Sequence, residues 1–189
     1  MIFYGYILIK FDKYIKIILL VYKMDYEITQ MFSETIVIKS NELLRTKNID
    51  GYVLNHLKKN ENKCHNNGYI IPDSTKLVQR SIGKISSINN QNFIEYNVNY
   101  QCKIIIPATD DIFNGKVDNI THMGIVAYLD YKSTESIKES PILFIIPKQF
   151  VEDKLIETLN KGDEIKIKVI DTRIKFQSNQ IQVIGEYLP

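Results

Sequence analysis

The chain has 189 residues, of which 44% are hydrophobic and 24% charged, and its formal net charge at pH 7 is +2. These values are ordinary for a soluble protein of one large or two small domains, and so small a net charge does not by itself indicate a nucleic-acid binder. The two cysteines, Cys64 and Cys102, form no Cys-x-x-Cys pair, so neither a zinc site nor dithiol chemistry has support.

The first 23 residues are rich in apolar side chains but make a poor membrane anchor. Four charged residues lie in their middle: Lys10, Asp12, Lys13 and Lys16. Each would cost roughly 2.5–3.5 kcal/mol at the centre of a bilayer. No small-residue cleavage site follows the apolar run 17–22, which argues against a signal peptide. We expect residues 1–30 to be an extension outside the fold, with Met24 and Met31 as alternative starts.

The first predicted elements are a strand and a helix. Residues 31–39 alternate between polar and apolar and end in β-branched side chains, which predicts a strand. Ser40 can then cap a helix over residues 41–60, with a break or kink at Gly51. The Asn-Asn-Gly sequence at 66–68 has the residue types of a turn.

Three further strand segments complete the first half of the chain. Residues 69–80 predict an interrupted strand, because Pro72 cannot donate a hydrogen bond to a neighbouring strand. Residues 82–88 and 93–107 flank a polar turn and predict a hairpin. Residues 31–107 therefore indicate a helix packed on a small antiparallel sheet.

A bent strand is predicted at the start of the second half. Val117 and Ile120 are three residues apart, so they share one side of a strand only if a residue is bulged out between them. After Gly124, alternate residues from Ile125 to Leu129 share one face of a second strand. A bent strand, a tight glycine turn and a second alternating strand are what a small closed barrel requires.

Three more strands and a helix complete the predicted second half. The strands cover residues 141–147, 164–174 and 179–188, and a short helix covers residues 148–160. Five strands with a helix between the third and fourth is the order of an OB barrel, which we expect over residues 108–189. The fold class is therefore α+β, with an all-β second domain.

Five segments of the chain resemble, in the same order, characteristic segments of one protein family. They are residues 61–72, 80–85, 96–107, 113–129 and 172–188. The Gly-Val-Ile-Gly pattern within the fourth segment also resembles RNA-binding OB domains of the ribosomal-protein type. From Met31 to its end, the chain resembles the family formed by the seventh subunit of eukaryotic RNA polymerase II and its archaeal equivalent. That family joins a truncated ferredoxin-like, RNP-type domain to an OB barrel.

The resemblance implies a non-catalytic subunit of a multisubunit DNA-directed RNA polymerase. Such subunits form a stalk with a fourth-subunit partner, dock on the polymerase core beside the RNA exit channel, and meet nascent single-stranded RNA. They act in transcription initiation, and the resemblance implies no cofactor, no metal and no membrane. We expect the nucleus as location, or the host cytoplasm or virion if a large DNA virus encodes the chain, as its Ile-, Lys- and Asn-rich composition suggests.

The resemblance also assigns residues to polymerase docking, which in this family uses the loop after the helix and the next strand. The docking candidates are Asn66, Asn67, Gly68, Tyr69, Ile70 and Ile71. A plain hairpin entry is the alternative interpretation of this segment. Docking would account for three adjacent apolar residues beside a turn, which would otherwise form an unexplained apolar patch.

RNA on an OB surface is usually held by stacked aromatic rings and basic side chains. Val126 stands where the family often has an aromatic, and Tyr128 on the same face can replace it. The RNA-binding candidates are Tyr128, Lys148, Lys166, Lys168, Arg173 and Lys175. For the lysines, a merely solvated surface is the alternative interpretation.

Two other functions are compatible with an OB barrel. One is a mimic of the alpha subunit of translation initiation factor two, although such mimics are typically the barrel alone. The other is an accessory RNA-binding subunit of an RNA-processing complex. Catalysis has no support, because the sequence has no Gly-rich phosphate loop, no metal-ligand spacing and no nucleophile elbow. The neighbouring Asp110 and Asp111 would point to opposite faces of a strand, so they make no two-carboxylate site.

Overall fold

The computed structural model describes residues 27–89, 91–131, 136–151 and 158–189. The predicted extension at 1–30 lies outside the described residues except for its last four positions. The middle of the predicted helix at 148–160 is also outside them, and a short 3-10 turn, Lys148–Phe150, occupies its start.

Within the described residues, the first half contains two α-helices, a 3-10 helix at Lys58–Asn60 and six strands. The helices are α1, Ser40–Leu43, and α2, Ile49–Leu57. The strands are β1, Glu27–Lys39; β2, Cys64–His65; β3, Gly68–Ile70; β4, Lys76–Arg80; β5, Lys84–Ile88; and β6, Gln91–Ile105.

Strand β6 organises the first sheet. One edge of β6 pairs antiparallel with the whole of β1, and its other edge pairs in turn with β3, β4 and β5. The predicted β5–β6 hairpin and the interruption of the strand at Pro72 are both confirmed. Strand β1 begins at Glu27, four residues before its predicted start, because Glu27–Gln30 pair with Cys102–Ile105.

The prediction of one continuous helix over residues 41–60 is wrong. The chain leaves the helical path between α1 and α2, and Gly51 lies inside α2. A new helix begins because the Asn48 side chain accepts a hydrogen bond from the Gly51 N–H at 3.0 Å, which caps α2. Ser40 makes no such cap, and its hydroxyl donates instead to the carbonyl oxygen of Asn92 at 2.8 Å.

The second half contains five strands that close into a barrel. They are β7, Ile112–Thr121; β8, Gly124–Leu129; β9, Ile142–Pro147; β10, Glu164–Arg173; and β11, Ile181–Leu188. Around the barrel the order is β7-β8-β9-β11-β10, and β10 returns to pair with β7. Every pair is antiparallel except β9 with β11.

The predicted bulge in the first barrel strand is confirmed. Val117 pairs with Ala127 and Asn119 pairs with Val126, so Asp118 is the extra residue of β7. Val117 is buried and Ile120 packs against the same barrel core. The glycine turn is confirmed as well, because Gly124 has φ +139° and an added Cβ would overlap the carbonyl oxygen of Ile146.

The two halves share buried side chains. The first half has its own core, where Val53 and Leu57 of α2 pack on the sheet. The barrel core also contains four residues of the first half: Cys64, Tyr69, Ile71 and Ile105. The described structure is therefore mostly β, with few helices and a closed five-stranded barrel. No helix in these residues has the length and apolar content needed to cross a membrane.

Candidate nucleic-acid interface

The six docking candidates divide into two exposed and four buried residues. Asn66 and Asn67 form the exposed turn between β2 and β3, while residues 68–71 are buried. Tyr69 and Ile71 enter the barrel core and Ile70 enters the core of the first half. Burial between the halves thus explains the three adjacent apolar residues, and the turn at 66–67 is the surface that this segment offers to a partner.

Tyr128 lies on the barrel beside a row of aliphatic side chains. The side chain of Tyr128 is only 8% exposed, so its ring has no free face on which a base can stack. Val126 lies opposite Ile145, which lies opposite Ile184, so one row crosses β8, β9 and β11. This row contains only aliphatic side chains and therefore lacks the stacking rings typical of an RNA-binding OB face.

The barrel lysines that were predicted to bind RNA differ in their surroundings. Lys168 forms an ion pair with Asp110, Nζ to Oδ1 2.8 Å, and the hydrogen bond to Asp110 raises the pKa of Lys168 above its usual value. A phosphate would have to compete with this carboxylate. Lys166 and Lys148 are exposed, the first on β10 and the second in the 3-10 turn after β9.

Arg173 and Lys175 lie at the end of β10 and are exposed. In the described part of the chain, neither forms an ion pair with a carboxylate. Ile174 between them packs against the barrel core, which fixes the chain at this point. These two cations are therefore available to an external anion.

Phe176 follows directly and was not among the sequence-based candidates. Its side chain is 55% exposed, and no other phenylalanine or tyrosine among the described residues is exposed to that degree. The sequence signal was an aromatic residue next to a lysine in a polar segment between two strands. That signal is weak, because burial of a single loop aromatic depends on contacts that the sequence does not reveal.

The segment 174–180 connects β10 to β11, and we call it the junction loop. It is held against β2 by two main-chain hydrogen bonds. The Cys64 N–H donates to the Ser178 carbonyl oxygen at 2.7 Å, and the Gln177 N–H donates to the Cys64 carbonyl oxygen at 2.8 Å. The His65 ring lies edge-on to Phe176, with centroids 5.8 Å apart. The structure therefore brings Arg173 and Lys175 beside the hairpin that carries Asn66 and Asn67.

Two side chains of this region, His65 and Cys64, are suited to packing and not to catalysis. The Nδ1 atom of His65 is buried and has no hydrogen-bond partner among the residues that the structure describes. The His65 ring also contacts Phe32, with centroids 5.0 Å apart. Burial raises the pKa of the Cys64 thiol, an effect that hydrogen bonding with Ser178 partly offsets. A thiol held neutral in this way is a poor nucleophile, so Cys64 is suited to packing.

A second contact between the halves lies at the start of β1. The Tyr131 hydroxyl donates to the Glu27 carboxylate at 2.6 Å, and Lys103 donates to the other carboxylate oxygen at 2.8 Å. Burial, and then the hydrogen bond to Glu27, raise the pKa of Tyr131 well above its usual value. Within the described ranges, no three His, Cys, Asp or Glu side chains come together as a metal site.

Comparisons with known proteins give matches to solved structures but to no family model. No protein-family model matches the chain, and no curated protein matches it. Among solved structures, the chain is similar to an uncharacterized protein from Methanocaldococcus jannaschii. The two are 21% identical, with a TM-score of 0.34, over 45% of this chain and 97% of that chain. This similarity covers less than half of the chain and identifies no family.

Proposed function

We propose that this chain is a non-catalytic stalk subunit of a multisubunit DNA-directed RNA polymerase. It would dock on the core near the RNA exit channel, pair with a fourth-subunit-like partner, contact nascent single-stranded RNA and act in initiation. The observation that carries the proposal is the ordered series of five segments that resemble the seventh-subunit family. Their positions support it, because residues 96–107 lie along β6 and residues 113–129 cover the β7–β8 hairpin.

The topology supports the same proposal. We assign the barrel to the OB type, because it has five strands in a closed order with one parallel pair, β9 with β11. We assign the first half to a truncated ferredoxin-like, RNP-type domain. The support is that helix α2 follows β1 and that β1 lies next to β6 in an antiparallel sheet.

The proposed docking surface is the exposed turn at Asn66 and Asn67. This turn projects from a hairpin that is held by Cys64 and Tyr69 in the barrel core and by Ile70 in the core of the first half, so its position on the molecule is well defined. A rigid, exposed turn can enter a cleft of a partner without a large cost in conformational entropy. This geometry suits the docking role that the family resemblance assigns to the segment.

Purification of the tagged chain from the cells that naturally produce it tests the proposal. With a C-terminal tag and moderate salt, we expect the large polymerase subunits to be recovered in near-equal amounts by mass spectrometry. Asn67→Arg should reduce that recovery, whereas Asn41→Arg, on the exposed side of α1, should not. Recovery of a nuclease or an initiation-factor kinase without polymerase subunits would contradict the proposal and favour the RNA-processing or translation-factor alternative.

A further inference from the structure

We propose that Phe176 is the base-stacking residue of a single-stranded RNA site on the junction loop, where Arg173 and Lys175 contact the phosphates. The inference rests on the proposed role as an RNA-contacting polymerase subunit, and it moves the stacking contact away from Tyr128, the aromatic residue predicted to make it. The move is required because Tyr128 is buried and the row of Val126, Ile145 and Ile184 beside it contains only aliphatic side chains.

The ring of Phe176 is exposed yet held in position. More than half of the side chain is exposed, while His65 contacts one side of the ring. The residue after it, Gln177, has φ +64° and donates its N–H to Cys64, so the main chain beside the ring is fixed. A base that stacks on such a ring removes apolar surface from water without first having to order the loop.

The charges around the ring favour a polyanion over an apolar protein partner. Arg173, the last residue of β10, and Lys175, on the junction loop, are exposed and are without carboxylate partners in the described part of the chain. Across the junction, Lys59 and Lys63 are each next in sequence to a residue that contacts the loop, Asn60 and Cys64 respectively. An aromatic ring among free cations is the arrangement by which single strands are bound without sequence preference.

The site requires unpaired bases. Stacking on one side chain needs a base whose face is free, and bases inside a duplex are stacked on each other. Nascent RNA leaving a polymerase meets this condition. The expected preference is therefore for single-stranded over double-stranded RNA of the same length and charge.

Fluorescence anisotropy with a labelled oligouridine tests the site on the full-length chain. Phe176→Ala should weaken binding by about 10- to 100-fold, because it removes base–aromatic stacking. Phe176→Trp should keep the affinity, because it also offers a flat ring. The matched control is Ile184→Ala, a partly exposed residue of the aliphatic row, which should leave the affinity unchanged.

An abasic oligomer with the same phosphates separates stacking from charge. The loss caused by Phe176→Ala should disappear with this probe, while Lys175→Gln should weaken both probes. Equal affinity of Phe176→Ala and the unaltered chain for oligouridine would overturn the inference, as would an unaltered chain that does not bind oligouridine. An equal loss by Phe176→Ala on both probes would also overturn it.

The same variant separates this inference from the proposed function. Phe176→Ala should still recover the polymerase subunits, because Phe176 is not part of the turn at 66–67. If polymerase is recovered but RNA binding does not depend on Phe176, the RNA site is wrong and the stalk proposal stands. If RNA binding depends on Phe176 but no polymerase is recovered, the stalk proposal is wrong.

Discussion

The main-chain N–H of Cys64 donates to the carbonyl oxygen of Ser178 across 2.7 Å, and this bond joins the two halves of the molecule. A return bond from Gln177 to the Cys64 carbonyl oxygen makes the contact resemble one step of a β-ladder. Together with the side chains that the halves share in the barrel core, it holds the hairpin and the junction loop against each other.

We expect the two halves to unfold as one cooperative unit. Ile104 and Ile105 are adjacent and fully buried, but Ile104 packs in the first core and Ile105 in the barrel core. Either change to alanine should cost about 2–5 kcal/mol, because each leaves a cavity. Hydrogen exchange should show both variants losing protection in both halves. Loss confined to the half that carries the altered core would contradict a shared unit.

We expect Gly124 to tolerate no side chain. Gly124→Ala combines a left-handed backbone with overlap of the main chain at Ile146, and should cost about 3–5 kcal/mol. Gly162 is the matched control, because it also has a positive φ but an added Cβ there has no atom within 4 Å. Gly162→Ala should cost only about 1–2 kcal/mol. Urea denaturation measures both, and equal losses would contradict the steric argument.

Alkaline pH should destabilise the fold through Cys102. Burial, with a smaller contribution from Glu61, raises the pKa of its thiol from 9.0 to about 11. The folded state therefore favours the neutral thiol, and this contribution is complete below pH 9 and is lost as the pH rises through 11. Urea midpoints should fall over this range, and less steeply for Cys102→Ala. Identical pH slopes for the two proteins would show that the thiol does not contribute.

The salt dependence of RNA binding should identify the cations that contact phosphates. Each phosphate contact with a single strand adds about 0.7 to the slope of log affinity against log salt. Lys175→Gln should therefore reduce the slope by about that amount, and Phe176→Ala should leave it unchanged. Lys168→Gln is the control. It should change the slope less, because Lys168 is already paired with Asp110. A larger change of slope from Lys168→Gln than from Lys175→Gln would place the RNA along β10 of the barrel and not on the junction loop.

Local patterns in the sequence predicted much of the fold. The spacing of Val117 and Ile120 was enough to predict the bulge at Asp118, because strand periodicity is a local property. The break between α1 and α2 was missed because Asn48 lies inside the predicted helix, and sequence alone does not show that its side chain caps a second helix.

The candidate site depends on contacts that no local pattern contains. Tyr69 and Tyr128 are both aromatic residues in strands, and their burial follows from the approach of the two halves and from barrel closure. Phe176 remains exposed because main-chain hydrogen bonds fix the junction loop to β2, so the position of the loop does not depend on burial of the ring. These outcomes depend on residues far apart in sequence, so periodicity could not predict them.

The most direct test of the stalk proposal is site-specific photo-crosslinking from position 67 in the naturally produced assembly. A crosslinking amino acid replaces Asn67 in the tagged chain, and the same amino acid at Asn41 is the control. The account predicts crosslinks from position 67 to the polymerase core subunits, at a yield well above that from position 41. Crosslinks from position 67 that contain no polymerase subunit would contradict it.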